Sequence, residues 1–374
     1  MKINMAEIKK KKIKKIKSKK ILKKKVVKKV VKKTIKKLGK KLERFIGNPI
    51  IHPARGTYWE SKATFNPTAF EHDGKVHIIY RAIGVGDIST LGYASSNDGL
   101  SFGDRNFKPI FVHKNISLTK GEPVFYESGG GWNGGAEDPR ITKIDDMLYM
   151  TYTAFDGWGS VRIGLTSISL EDFLNKKWNW REPVMISPPG MPAKNGCLLP
   201  EKINGKYVIF SRLHLGPNVP QNITIDFVDD LSFKGKWLKG EYQINPREGY
   251  WDSIKVGVGA PPIKTKYGWL FIYQGVGYQD PSKYKIGAML LDLKDPTKVL
   301  YRSKEPILEP DMFYENEGYK SGVVYSCGAV IKDGTLFVYY GGADMVTCVA
   351  TADLNLFLKE LKETGIVKLK KGKK

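Results

Sequence analysis

A tight turn followed by a strand of alternating apolar and aromatic residues recurs five times in this chain. The copies read DGKVHIIYRA from Asp73, DDMLYMTYTA from Asp145, NGKYVIFSRL from Asn204, KYGWLFIYQG from Lys266 and KDGTLFVYYG from Lys332. They recur at intervals of roughly 60 to 70 residues, a period that marks stacked supersecondary units. The Gly, Asn and Asp residues at the turns accept the positive φ that a short hairpin loop demands, and period-two alternation then carries the strand. A partner strand precedes each turn: NPTAFEH, DPRITKI, PEKI, PPIKT and CGAVI in order. One hairpin per unit, with room for two further strands between copies, predicts an all-β chain folded as a five-bladed β-propeller. A β-sandwich is the competing architecture, but it does not explain why the flanks repeat as well. Asn66-Pro67, Asp138-Pro139, Leu199-Pro200 and Ala260-Pro261 take corresponding places, read as strand starts where proline removes no ladder donor. Arg81, Thr153, Arg212, Gln274 and Asp344 recur at the other end of each hairpin, so a radial arrangement gathers them around one funnel.

Charge divides the chain at about residue 45. Residues 1–45 hold 21 Lys and Arg44 against Glu7 and Glu43, which accounts for most of the net charge of +24. The segment is expected to form a helical or disordered extension, leaving 46–374 as the propeller. Ile13, Ile16, Ile21, Val27, Val30, Val31, Ile35, Leu38 and Leu42 fall at spacings compatible with one helical face. A basic amphipathic stretch of this kind suits an anionic membrane surface or nucleic acid, whereas mutual repulsion among its lysines favours a solvated tail. Its lack of aromatic residues argues against specific base reading. Cys197, Cys327 and Cys348 make no disulfide framework, and the histidines at 52, 72, 77, 113 and 214 lack ligand spacing, so no structural zinc site is expected, and nothing in the sequence asks for an organic cofactor. With no apolar run long enough to cross a bilayer and no apolar leader, the expected location is cytoplasmic. Exposed sheet edges leave an oligomer open.

The segment Gly134-Gly135-Ala136-Glu137-Asp138-Pro139-Arg140 follows a glycine-rich stretch at the start of the second hairpin. Adjacent carboxylates inside a β-ring need partners or a task. Strand alternation would send Glu137 and Asp138 to opposite faces, one towards the funnel and one sideways to Arg140 or a neighbouring blade. The repeat register brings cations around this segment, Arg81 and Arg212 at the ends of apolar strands and Lys194 in the loop sequence MPAKNG, and such a group suits an anionic ligand such as phosphate.

These stretches resemble glycoside hydrolase family 130, the inverting β-mannoside phosphorylases and their hydrolytic relatives, which are five-bladed propellers. The likeness runs from about residue 50 to about 360 through FNPTAF, IIYRA, STLGYASSNDG, GGAEDPRITKIDDMLYMTYTAFDG, KNGCLLPEKINGKYVIFSR, GWLFIYQG, YKIGAMLLDLKDPTKVLYR and LFVYYGGAD. The resemblance implies that Asp138 is the catalytic acid, its proton reaching the departing glycosidic oxygen through a hydroxyl of the bound mannose. It implies that Asn66, Arg81 and Asp344 hold the mannosyl unit and that Lys194, Arg212 and Tyr284 hold phosphate, the co-substrate. Inorganic phosphate would then attack the anomeric carbon of a β-1,4-mannoside and yield α-mannose 1-phosphate. One protein carboxylate suffices for that reaction, where inverting hydrolysis takes two.

Gln274 stands where the family commonly has the histidine of YHG. Its amide is expected to donate to phosphate without carrying charge, and β-mannosidase activity becomes the rival reading, with Glu201 as candidate base. His214, two residues past Arg212, is a candidate to compensate. Trp132, Trp158 and Tyr278 are candidates to stack on sugar rings. A non-catalytic sugar-binding propeller is the third reading.

Overall fold

The computed structural model describes residues 39–113 and 130–365. Most of the Lys-rich segment, with its expected helical face and its membrane or nucleic-acid contacts, lies outside the described residues.

The first strand, β1 (Glu43–Arg44), is followed by a first unit of β2 (Ala63–His72), β3 (Lys75–Ile83), β4 (Ser89–Ser96) and β5 (Asp104–Arg105). The second unit holds β6 (Gly135–Ile144), β7 (Met147–Phe155), β8 (Val161–Ser169) and β9 (Val184–Met185). The third holds β10 (Ala193–Leu198), β11 (Tyr207–Leu213), β12 (Ile223–Val228) and β13 (Tyr242–Ile244). In the fourth, β14 (Lys255–Val258) and β15 (Ile263–Thr265) both pair with β16 (Gly268–Val276), which continues to β17 (Lys285–Leu291) and β18 (Val299–Arg302). The fifth runs β19 (Val324–Lys332), β20 (Thr335–Gly342) and β21 (Val346–Asp353). All five turns read from sequence join antiparallel strands, but the partner of β11 is β10 and not the expected PEKI, of which only Ile203 bridges to Lys206.

The fifth unit takes its outermost strand from the other end of the described chain. β1 pairs antiparallel with β21, Glu43 opposite Thr351 and Arg44 opposite Ala350. Arg44 then forks onto Glu315, with Nε to Oε1 at 2.7 Å and Nη2 to Oε2 at 2.9 Å. Such bidentate pairing fixes geometry as well as charge. Residues 43 and 44, inside the expected extension, are thus part of a sheet.

Apolar side chains fill the gaps between consecutive units. One cluster joins units one and two through Ile79, Tyr93, Met150 and Tyr152, and another joins two and three through Ile163, Leu165 and Ile209. Phe210 and Phe271 meet between units three and four, with ring centroids 4.9 Å apart. Leu270 and Val338 join four to five, and Ile78, Tyr80 and Tyr339 join five back to one. Each face of a sheet thus buries its alternate residues against the next unit. The fifth unit thus packs against the first as well as the fourth, and β19, β2, β6, β10 and β14 contact one another in that order.

The first two units also share a ladder. Ser89 bridges Gly135 in parallel, and a Cβ at Gly135 would lie 2.1 Å from the Ser89 carbonyl oxygen. Only glycine permits that approach, which accounts for the glycine-rich run before Glu137.

Candidate active site

Four strands, β2, β6, β10 and β19, break register. The slips fall between Phe65 and Thr68 in β2, Glu137 and Arg140 in β6, Lys194 and Cys197 in β10, and Ser326 and Gly328 in β19. Asn66, Asp138 and Asn195 sit inside the first three at φ of 48°, 50° and 58°. Asn and Asp enter this left-handed region more readily than other side chains, and a bulge re-aims the residues it contains. Strand alternation therefore fails where the sequence argument relied on it. Pro67 and Pro139 belong to the bulges and do not start strands. The third unit's counterpart is Asn195-Gly196, whereas Leu199-Pro200 follows the end of β10.

Glu137 and Asp138, expected on opposite faces, both meet Arg81. Its Nη2 donates to Glu137 Oε1 at 2.7 Å and its Nη1 lies 3.4 Å from Asp138 Oδ1. Nε donates to Ser89 Oγ at 3.0 Å, Nη2 also reaches the Gly130 carbonyl at 3.0 Å, and the guanidinium lies over the Phe65 ring. Asn66 Nδ2 adds a 2.8 Å bond to Asp138 Oδ1. First and second units thus converge on one carboxylate oxygen, within a cluster that is almost wholly buried.

Arg140, the alternative partner considered for these carboxylates, pairs with neither. It is buried and donates to three carbonyls: Nε to Gly259 at 2.7 Å, Nη2 to Val258 at 2.7 Å and Nη1 to Asp138 at 3.0 Å. Its side chain crosses from the second unit to the fourth and ties the backbone of Asp138 to the end of β14.

The cations lie beside this cluster. Lys194 is opposite Arg212 in the β10–β11 ladder. Burial first, then Arg212, pushes the Lys194 ammonium down to about 7, against the opposing pull of Glu137 and Asp138. Those contributions place Lys194 within electrostatic reach of the acid as well as of Arg212. Tyr284 takes a hydrogen bond from Lys255 Nζ, which also lies over its ring, and Lys320 approaches the same ring at 5.0 Å. Tyr284 packs near Tyr325, whose hydroxyl lies 2.5 Å from Asn195 Nδ2. Asn195, Lys255, Lys320 and Tyr325 were missed in the sequence. A signal for Asn195 existed, since Lys194-Asn195-Gly196 repeats the pattern of Phe65-Asn66-Pro67 and Glu137-Asp138-Pro139.

Asp344, at φ 51° after β20, joins the acidic side. Burial first, then the Asp138 charge, pushes its carboxyl up to about 7, with Arg81 and Lys320 opposing. The site therefore holds more than the single carboxylate counted from sequence, and that count no longer discriminates phosphorolysis from hydrolysis.

Gln274 is buried opposite Gly257, and its Nε2 donates to the Ser326 carbonyl at 2.8 Å. One of its two amide N–H donors is thus taken up inside the protein. Glu201 lies at the turn end of the β10–β11 hairpin, exposed and paired with Lys264 at 2.6 Å, so it does not stand beside Asp138. β11 ends at Leu213, and the exposed His214 just beyond it still donates its backbone N–H to the Pro192 carbonyl at 2.9 Å. Trp132, Trp158 and Tyr278 are exposed. The loops of Trp132 and Trp158 touch, since a Cβ at Gly157 would lie 2.9 Å from the Asn133 carbonyl carbon. Among the described residues no group of three or more His, Cys, Asp or Glu side chains could hold a metal ion, and no helix is long and apolar enough to cross a membrane.

Buried carboxylates beside a group of cations suit a site that handles an anion. Comparison with known proteins makes this specific. Residues 18–363 match the family profile of glycoside hydrolase family 130, described as beta-1,4-mannooligosaccharide phosphorylase. The chain belongs to this family, whose mannoside phosphorylases use phosphate as co-substrate without a further cofactor. The match begins inside the Lys-rich segment, earlier than the motifs indicated. A 1,2-beta-oligomannan phosphorylase of Thermoanaerobacter sp. (strain X514) is 41% identical over 324 residues, covering 84% of this chain and 98% of that one. A beta-1,4-mannooligosaccharide phosphorylase of Ruminococcus albus is 29% identical over 317 residues, covering 83% and 87%. Among solved structures, the beta-1,2-mannobiose phosphorylase of Listeria innocua in complex with beta-1,2-mannobiose superposes with a TM-score of 0.68 at 26% identity, covering 86% of this chain and 99% of that one.

Proposed function

We propose that this protein is a cytoplasmic five-bladed propeller that cleaves a β-mannoside with inorganic phosphate, inverting the anomeric centre to give α-mannose 1-phosphate. The observation that carries the reading is the register pair Lys194–Arg212, set in electrostatic reach of Asp138. A cradle of two cations beside an acid suits an anionic nucleophile.

In the proposed reaction Asn66, Arg81 and Asp344 hold the mannosyl unit. The proton of Asp138 passes to a mannose hydroxyl, and that hydroxyl's proton passes to the glycosidic oxygen as its bond to the anomeric carbon breaks. A phosphate oxygen held by Lys194, Arg212 and Tyr284 forms the new bond from the opposite face. Asn66 Nδ2 and Arg81 Nη1 fix the acid's position through Oδ1. Gln274 acts in the phosphate site through its acceptor oxygen. The three cysteines are buried and unbridged, which supports a reducing compartment.

For the linkage, the 41% identity to a 1,2-beta-oligomannan phosphorylase favours β-1,2 over the β-1,4 bond expected from sequence, since the β-1,4 relative stands at 29%. The test is incubation with β-1,2- and β-1,4-mannobiose, each with and without phosphate. Mannose 1-phosphate from the β-1,2 disaccharide alone supports the proposal, and preference for the β-1,4 disaccharide restores the earlier linkage. Release of free mannose irrespective of phosphate identifies a mannosidase, and no turnover of either sugar leaves a binding protein.

A further inference from the structure

The replacement of a histidine by Gln274 has a structural consequence beyond the loss of a charge. A carbonyl oxygen can only accept, so the 2.8 Å contact with Ser326 fixes the Gln274 amide with its nitrogen towards the fifth unit. Its Oε1 is left as the other end of the group, buried, with no hydrogen-bond partner among the described residues. Asn195 Oδ1 is in the same condition, in a residue that is 0% exposed. Orphaned acceptors of this kind are rare inside proteins and call for a ligand or water.

Both acceptors border the bare face of Gly257. A Cβ there would lie 2.7 Å from Asn195 Oδ1, 3.0 Å from Arg212 Nη1 and 3.4 Å from Gln274 Oε1. Arg212 brings hydrogen-bond donors to this space, and two carbonyl-type oxygens bring only lone pairs. An oxygen without a proton would be held by Arg212 and repelled by both amides. A hydroxyl satisfies all of them, because it accepts from the guanidinium and donates to one of the amides.

Resting on the reading of Lys194 and Arg212 as a phosphate site, we infer that the site is selective for a protonated oxyanion. The P–OH of hydrogen phosphate lies beside Gly257 and donates to Gln274 Oε1 or Asn195 Oδ1. The unprotonated oxygens face Lys194 and Arg212, and one of them is the nucleophile. Gln274 is thus a specificity residue that reads the proton on phosphate, where a histidine would read its charge. Sites built to bond a ligand hydroxyl discriminate strongly against analogues that lack it, because the buried partner is left unsatisfied.

Sulfate and monofluorophosphate are the probes, since at neutral pH each is a tetrahedral dianion with no hydroxyl. The measurement is their inhibition constant against phosphate in phosphorolysis of the mannobiose that the enzyme accepts. In the unmodified protein each is expected to bind at least about tenfold more weakly than phosphate. Gln274→Met removes the acceptor at similar volume. It should raise the phosphate KM about tenfold and lower both inhibition constants, since the repulsion of their unprotonated oxygens is relieved, so that the preference collapses. Sulfate or monofluorophosphate matching phosphate in the unmodified enzyme overturns the inference and leaves the phosphorylase reading intact. Absence of any phosphate-dependent turnover in the unmodified enzyme overturns the phosphorylase reading itself. The comparison of anions in the unmodified protein decides the matter even if the methionine variant folds poorly.

Discussion

Raising the pH through neutrality should weaken phosphate binding, and the cause is one side chain. The Lys194 ammonium, ordinarily at 10.5, is pushed down to about 7 by burial and by Arg212 across the ladder. A phosphate bound between these two cations supplies the missing counter-charge, so its arrival favours the protonated lysine. The Lys194 pKa is then higher in the complex than in the free enzyme, and binding takes up a proton. Linkage fixes the sign: affinity is greatest below the free-enzyme pKa and falls as pH rises through it. If only the charged form binds, the apparent phosphate KM rises about fifteenfold between pH 7 and pH 8.5, approaching tenfold per unit. The assay is mannose 1-phosphate production at saturating mannoside, with phosphate varied at each pH. Lys194→Met serves as the control, because phosphate's own ionisation is unchanged there while the lysine's contribution is gone. Its KM should be high throughout and keep only the pH dependence of phosphate's own ionisation. A flat profile in the unmodified enzyme from pH 6.5 to 8.5, or an unchanged slope in the methionine variant, would refute the assignment of Lys194 to the phosphate site.

Substitutions at two further positions separate stability from function. Asp344 is pushed up to about 7 from 3.8, so the folded state binds the proton more tightly than the unfolded state, and stability falls as pH rises from about 4 to about 7. Asp344→Asn should therefore raise Tm by a few degrees at pH 8 and by less at pH 5, while mannoside turnover collapses; equal shifts at both pH values would contradict this. Arg140→Met should cost roughly 3–5 kcal/mol in urea unfolding, because it abandons three buried carbonyls that now accept from a charged donor. Arg140→Lys should recover only part of that loss, since an ammonium lacks the planar fork spanning Val258, Gly259 and Asp138. A methionine variant as stable as the parent would remove Arg140 as the tie between units two and four.

The hairpins were legible because their signals are local. Asp73-Gly74, Asn204-Gly205 and Asp333-Gly334 adopt the positive φ that their residue types prefer, and alternation on either side does the rest. What escaped was every feature set by a neighbouring unit. Alternation cannot report a one-residue slip, so Glu137 and Asp138 were sent to opposite faces when the bulge turns both onto Arg81. The recurring pattern at Asn66, Asp138 and Asn195 was present in the sequence, but the prolines drew the alignment to Leu199-Pro200. The direction of the Gln274 amide depends on a carbonyl in β19, more than fifty residues away. β1 was absorbed into the Lys-rich run, because two residues carry no periodicity and their pairing partner lies at the far end of the chain.

The central claim is that Asp138, held by Asn66 and Arg81 beside the Lys194–Arg212 pair, protonates the departing sugar while phosphate takes the anomeric carbon. The most direct measurement is the rate of α-mannose 1-phosphate formation by Asp138→Asn, with thermal unfolding recorded on the same sample. The variant keeps the shape and loses the transferable proton, so the account predicts a fall of roughly a thousandfold with the fold retained. A folded variant that keeps most of the parent's rate would contradict it.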